Sequence, residues 1–476
     1  MRISDYLTMH KDSSNIAIIH GDNNITYQKL YEKSLELSYA VATHECNNVA
    51  LFLPNGIDYV IGYFSVLFSN KTIVPINIQT GQADICRALE FCDVSLVVTN
   101  SKSISIINQI KEQYNLSFNA ICVDTAPTVL PPVHITNDSD PALIIATSGS
   151  TQNPKYVMLT HANLHSNITG IISGFKHKQS DRPLIMMPMT TAYVNTAQLL
   201  HYIYHGLTFV IMDTIFTASN FTKIIQKELI THTCAVPTIV YLLLKSTSDF
   251  SIIRSLQYIN IGGDGMSKKL LDTAMLCCPW VTFTQGYGLT EMSPVVSQVA
   301  VEDYHKKRYS VGKALAGVQI AIKNNNEECQ TMEPGEILVC GDNIMAGYYK
   351  NEDATNKAIV NGWLHTGDIG YLDEDGYLYV KGRMKNIIIT SGNNVSPEEV
   401  EEVLNQHPCV AGAYVYSQDD PRLGQRVLAD IISDDEINEV ELVNFCRKHL
   451  TEYKIPHKFN RVQNITRTMS GKVKRS

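Results

Sequence analysis

The sequence predicts a layered α/β protein with a smaller α+β unit towards its C-terminal end. Three observations carry that expectation. Short runs with buried-strand character alternate with longer amphipathic stretches, which is the rhythm of strands covered by helices. The chain has 476 residues, enough for two to four domains at a usual size of roughly 100–200 residues each. A turn-rich stretch late in the chain precedes a segment with a strong helix start of its own.

In chain order, strand-like runs at 49–53, 72–75 and 95–98 alternate with amphipathic stretches such as 26–43 and 57–69. Hydrophobic residues make up 44% and charged residues 18%, with a net charge of −8, a balance that indicates a soluble globular chain and argues against a general electrostatic grip on nucleic acid. The first ten residues lack the positive-then-apolar order of a secretory signal, and the most apolar stretch, 59–68, falls far below the roughly 18 residues of a membrane span. A cytoplasmic protein with no membrane span is expected. Eleven cysteines without a CxxC pair or zinc-like spacing suggest neither a disulfide framework nor a structural metal; adjacent Cys277 and Cys278 read as small buried hydrophobes.

The boundary lies after 376–383, where Asp373, Glu374, Asp375 and Gly376 lead into a strand and a new segment opens at Met384. Residues 1–384 and 385–476 are therefore expected to be separate units. Ser396-Pro397-Glu398-Glu399 combines an N-cap serine, a first-turn proline and a glutamate three residues after the cap. Strands around 411–416 and 427–432 and a helix around 440–450 complete the unit. Its end carries Lys454, Lys458, Arg461, Arg467, Lys472, Lys474 and Arg475, either a solvated tail or a patch facing phosphates or an acidic partner.

Four segments carry candidate chemistry. The strand-like run 142–146 leads into Thr147-Ser148-Gly149-Ser150-Thr151-Gln152-Asn153-Pro154-Lys155 and a second run, 156–159. Hydroxyls, backbone N–H groups and a lysine suit a polyphosphate, although a Ser/Thr-rich hairpin turn is the competing reading and the segment is not a Walker A loop. Gly286-Tyr287-Gly288-Leu289-Thr290-Glu291 offers a ring to stack on a base, a hydroxyl for a phosphate and a carboxylate for Mg²⁺. Asp368, closing Gly362-Trp363-Leu364-His365-Thr366-Gly367-Asp368, suits ribose hydroxyls or caps a turn. Lys472, after Ser470-Gly471, places a cation on a flexible turn, for a charged transition state or for solubility alone.

Together and in this order, these segments resemble the AMP-forming adenylate ligase superfamily of acyl-CoA and aryl-CoA synthetases, nonribosomal peptide synthetase adenylation domains and luciferases. Leu159-Thr160-His161-Ala162-Asn163, Gly335-Glu336-Ile337-Leu338-Val339, Gly347-Tyr348-Tyr349 and Gly382-Arg383 extend the likeness over essentially the whole chain. The resemblance implies a large N-terminal domain of packed α/β subdomains plus a β-barrel, with a small mobile α+β C-terminal lid. It implies ATP-dependent conversion of a carboxylic acid to acyl-AMP with release of pyrophosphate, then transfer to a thiol.

Carried onto this sequence, Thr147, Ser148, Gly149, Ser150, Thr151 and Lys155 would hold the β- and γ-phosphates, with Thr290 at the α-phosphate and Gly288 beside it. Glu291 would bind Mg²⁺, and Tyr287 would stack on adenine. Gly262, Gly263 and Asp264 would line the adenine edge and the acid pocket, together with Tyr193, Asn195, Gln285 and Gly286. Asp368 would take the ribose hydroxyls with Arg383 nearby. Lys385 would be the hinge, Lys472 the adenylation lysine, and Gly392, in Ser391-Gly392-Asn393-Asn394, part of the thiol tunnel. The catalytic set is thus Lys472, Thr290, Glu291 and Lys155, and such chemistry rests on positioning and charge neutralisation.

The chain departs from the family pattern at Gln152, where glycine or serine is usual, at Tyr156, where glycine is usual, and at Thr191, where many relatives carry histidine. Ala192 offers no counter-charge for a substrate ammonium, so a fatty or aryl acid is expected over an α-amino acid; Asp213 and Asp264 are the acids that would serve an amino group placed differently. Ile389 and Thr466 also replace common residues, without an assigned consequence. Coenzyme A is the favoured thiol, the phosphopantetheine of an acyl or peptidyl carrier protein the alternative, and a non-catalytic adenylate sensor the third reading.

Overall fold

The structure is a computed structural model that describes residues 1–125, 138–147, 154–175, 177–212, 216–247, 249–324, 327–390, 393–420, 422–433, 436 and 438–466. Among them the strands form four sheets. The expected helices begin where the sequence supplies caps: the Thr26 side chain accepts the Lys29 N–H ahead of the helix Tyr27–Ala42, and Ser396 accepts the Glu399 N–H ahead of Pro397–Leu404. The strands Asn48–Leu51, Thr72–Pro75 and Leu96–Thr99 lie where expected and pair in parallel. They belong to a seven-stranded sheet that also holds the hairpin Pro141–Ala146 and Tyr156–Thr160.

The nine-stranded sheet contains a parallel run of Pro183–Ile185, His232–Ala235, Tyr258–Ile261 and Thr282–Gly288. Its register sets Ile261 beside Gln285, so Gly262 and Gly286 follow side by side at the C-terminal strand ends, the edge where ligands of open α/β sheets bind. A six-stranded sheet, open in its strand order where the resemblance implied a barrel, pairs antiparallel around Gly335–Gly341 and Trp363–Leu372, with Leu378–Arg383 alongside. One large apolar cluster joins the helices Tyr27–Ala42 and Ile57–Phe68 to both large sheets.

The remaining sheet is built from strands between Ile388 and Arg461 and has its own apolar core, including Val400, Leu404, Val415, Ala429 and Cys446. Its tie to the helix Lys268–Cys277 includes Lys268 Nζ to Glu402 Oε1 at 3.0 Å and Lys269 Nζ to the His407 carbonyl at 3.1 Å. The Lys268–Glu402 pair is partly exposed, and contacts of that type contribute little stability. All eleven cysteines are free; Cys278 is buried as expected, whereas Cys277 is partly exposed. Among the described residues no helix is long and apolar enough to cross a membrane.

Candidate active site

The hairpin Pro141–Ala146 and Tyr156–Thr160 carries the glycine-poor Ser/Thr loop at its tip. Its last described rung is Thr147, whose N–H donates to the Lys155 carbonyl at 2.8 Å. Tyr156, unexpected at this position, is buried and stacks on Phe91 with ring centroids 5.2 Å apart. The side chain is absorbed by the core, leaving the neighbouring Lys155 exposed. Lys155 Nζ lies 4.4 Å from the centroid of the Tyr348 ring, and the Tyr348 hydroxyl donates to Glu291 Oε1 at 2.8 Å. Ser148, Gly149, Ser150, Thr151 and Gln152 lie outside the described residues, as do Asp213, Ser391, Gly392, Arg467 and Lys472.

Glu291 sits in a single turn, Thr290–Met292, directly after the strand Thr282–Gly288. The chain enters this turn through Gly288, where a Cβ would overlap the Pro294 carbonyl oxygen, so glycine is required by close backbone approach. The Glu291 carbonyl accepts the Met345 N–H at 2.8 Å, which brings the Tyr348 segment over the carboxylate. Asp368 comes from the middle of the strand Trp363–Leu372 and is buried. Its Oδ2 accepts the Tyr287 hydroxyl at 2.7 Å and its Oδ1 faces Arg383 Nε at 2.8 Å. Burial and the Asp368 carboxylate push the Tyr287 hydroxyl well above its ordinary range, keeping it a neutral donor.

A cavity of about 490 Å³ is lined by Lys155, Glu291, Tyr348, His365 and Arg383 among others. The structure thus gathers residues from six of the quoted motifs around one polar volume. Glu336, His365 and Tyr348 had no assigned role, although each lies inside a quoted motif. Glu336 Oε2 meets His365 Nδ1 at 2.9 Å and Oε1 accepts the Gly367 N–H at 3.1 Å, fixing the turn that leads to Asp368. An acid followed in the chain by a histidine on a neighbouring antiparallel strand was the available signal, readable only once the register was known.

The expected acid-side residues divide into two groups. Tyr193 lies over Gly262, where a Cβ would come 2.7 Å from the tyrosine ring, and Gly286 adjoins Gly262 across the strand ends. Asn195 and Gln285 are buried and engaged elsewhere: the Asn195 Oδ1 accepts the Tyr63 hydroxyl at 3.2 Å. Gln285 accepts the Met266 N–H at 3.1 Å and donates to the Arg308 carbonyl at 2.9 Å. Gly263 and Asp264 are exposed, and Asp264 Oδ1 accepts the Gly265 N–H. Ala192 is buried. Lys385 is exposed in the turn Met384–Asn386, which the Glu398 carboxylate holds through Asn386 at 2.8 Å.

Comparison with known proteins agrees with this arrangement. The model of the AMP-binding enzyme family matches residues 8–349, and that of the AMP-binding enzyme C-terminal domain matches 399–472. The 2-succinylbenzoate–CoA ligase of Bacillus licheniformis is 32% identical over 97% of this chain and 95% of its own. The o-succinylbenzoate CoA synthetase (MenE) of Bacillus subtilis, solved with its acyl-adenylate intermediate, is 28% identical, superposes with a TM-score of 0.89 and covers 99% of this chain and 96% of its own. ATP-bound MatB of Rhodopseudomonas palustris shares the fold, at a TM-score of 0.91, 20% identity and coverage of 100% and 97%. With its sequence motifs converging on one cavity and both family models matched, the chain belongs to the AMP-binding enzymes and is an AMP-forming acid–thiol ligase.

Proposed function

We propose that the protein is a cytoplasmic 2-succinylbenzoate–CoA ligase. The observation that carries this reading is the end-to-end likeness to enzymes of that name, in a site whose acid side lacks a counter-charge at Ala192 for an ammonium. The acid carboxylate attacks the α-phosphorus of ATP and pyrophosphate leaves. The coenzyme A thiol then attacks the acyl carbonyl, the thiol proton is lost, and AMP leaves with the pair of electrons of the broken acyl–oxygen bond.

In this reading Thr147, the Ser148–Thr151 loop and Lys155 hold the β- and γ-phosphates, and Thr290 meets the α-phosphate. Glu291 is a fitting Mg²⁺ ligand: its carboxylate lines the polar cavity and is oriented by the Tyr348 hydroxyl, and Mg²⁺ favours one or two such carboxylates beside substrate phosphates. When bound, the ion neutralises phosphate charge. Asp368, fixed by Tyr287 and Arg383, takes the ribose hydroxyls, and Tyr287 borders adenine. Lys472 neutralises charge as carboxylate and phosphate meet. The unit 385–476 then turns about Lys385, withdrawing Lys472 and bringing Gly392 to the thiol path; the partly exposed tie through Lys268 and Glu402 is compatible with that motion.

Acid-dependent ATP–pyrophosphate exchange over 2-succinylbenzoate, benzoate, malonate, fatty and amino acids tests the reading. Exchange with 2-succinylbenzoate, and a thioester once coenzyme A is added, is the expected result. Exchange with another acid class, or transfer only to a carrier protein, overturns it.

A further inference from the structure

Outside the nucleotide cavity, the loop that follows the helix His161–Gly174 turns His177 and Asp181 inward while Lys178, Gln179 and Ser180 stay exposed. His177 and Asp181 are 4% and 6% exposed and meet through Nδ1 and Oδ2 at 3.3 Å. His232, at the start of the strand His232–Ala235, presents Nε2 to the same carboxylate oxygen at 3.8 Å. One donor atom from each of the three lies within 4.8 Å of the others. Two more imidazoles close the group: the His201 and His205 rings have centroids 4.9 and 5.4 Å from that of His177.

Two histidines meet one buried carboxylate, and two further imidazoles pack against His177. Hydrogen bonding within the group leaves the buried Nε2 atoms of His201 and His205 without a partner, a condition native interiors avoid. The outer contacts are of the kind that orient ligands. Thr231 Oγ1 lies 2.6 Å from His232 Nδ1, and the Lys178 N–H donates to Asp181 Oδ2 at 2.8 Å. The Ala197 carbonyl engages the His201 ring, leaving Nε2 for a further partner.

We propose that His177, Asp181 and His232 bind a divalent transition metal of the zinc class. Imidazole nitrogens with one carboxylate match zinc and exclude the oxygen-seeking cations calcium and magnesium. Tetrahedral zinc with bonds of about 2.0–2.1 Å sets its ligand atoms about 3.3–3.4 Å apart, so small side-chain movements close the present set. Its three protein donors are buried, and the fourth tetrahedral position is left to a water or another small ligand. The site pins the 177–181 loop to the strand that ends at Ala235, whose carbonyl receives the Gly262 N–H at 3.1 Å. The metal thereby stiffens the acid side of the active site from behind. Cysteine spacing in the sequence gave no hint of it, because the donors are histidines and a carboxylate from two separate elements.

The test is elemental analysis of the full chain, produced without a histidine tag and purified without chelator. About one equivalent of zinc per chain is expected, with a melting temperature that falls by several degrees on chelator treatment and returns with zinc. Cobalt replacement should give the intense visible absorption of a four-coordinate site, and His177→Gln and Asp181→Asn should each abolish it. Metal-free protein whose melting temperature ignores both zinc and chelator overturns the proposal, as does metal retained at full stoichiometry in both variants. Should either variant fail to fold, the cobalt spectrum of the unaltered chain decides: absence of four-coordinate bands rejects the site.

Discussion

The proposed nucleotide side and the proposed acid side of the candidate site are held by different forces. On the nucleotide side, charged and phenolic groups meet in pairs, Tyr287 and Arg383 on Asp368 and Tyr348 on Glu291, and Arg383 and Lys155 remain exposed. On the acid side, Tyr193 is fitted over Gly262 with no room for a methyl group, Gln285 is spent on internal hydrogen bonds, and the Asn195 Oδ1 accepts from Tyr63. The first arrangement neutralises charge and tolerates solvent; the second sets shape. Substitutions on the two sides should therefore separate in steady-state kinetics, the nucleotide side acting on turnover and on ATP, the acid side on the acid alone.

The largest effect is expected at Lys472. Lys472→Ala should slow acyl-adenylate formation by about 10²–10³-fold, the scale of losing one charge-stabilising group, while sparing thioester formation from supplied acyl-AMP. Rapid-quench measurement of the two half-reactions checks this, and equal loss in both would count against a rotating lid. Glu291→Gln should lower kcat by about 10²-fold and raise the Mg²⁺ requirement, read from Mg²⁺ titrations of pyrophosphate exchange.

Tyr287→Phe removes one donor from the buried Asp368 carboxylate, so kcat/KM for ATP should drop by about 10-fold or more, as for a hydrogen bond to a charged group. Gly262→Ala sharpens the contrast. Its Cβ lands 2.7 Å from the Tyr193 ring, so KM for the acid should rise by about 10-fold, the scale of one methylene in a fitted pocket, with KM for ATP unchanged. Equal changes in both constants would show that the two sides do not act separately.

The smallest effect lies outside both sides. Burial, assisted by Arg2, pushes the His161 imidazole from 6.5 down to about 4, and its Nδ1 accepts the Ile3 N–H at 3.2 Å. Between these values the unfolded chain binds a proton that the folded chain refuses, so stability is retained above pH 6.5 and lost as pH falls towards 4. The loss is about 1.4 kcal/mol per pH unit within that window. His161→Asn keeps an acceptor but cannot titrate; urea unfolding at pH 7 and pH 5 should show a flatter dependence for the variant, with kinetics at pH 7 unaltered.

The proposed nucleotide side could be written down from the chain because each of its parts is a short contiguous segment: the motifs that carry the family resemblance name Lys155, Tyr287, Thr290, Glu291 and Asp368. The helix starts at Thr26 and Ser396 were legible for the same reason, since a cap acts within one turn. Tyr156 shows where such reading stops. It departs from a glycine pattern in the sequence, yet its ring stacks on Phe91, sixty-five positions away in the chain, and leaves the loop side.

The acid side was only partly legible. Tyr193 and Gly262 come from elements that meet through packing, and whether Asn195 or Gln285 faces a substrate or the core depends on partners such as Tyr63, Met266 and Arg308. The imidazole group at Asp181 was not legible at all. The sequence by itself determined the layered α/β class, the caps and the order of the nucleotide-binding segments, because these depend on local periodicity and backbone chemistry. Only the tertiary structure decided which polar side chains line the cavity, which brace it and which gather out of water, because burial and hydrogen-bond partnership are properties of chain segments that meet only on folding.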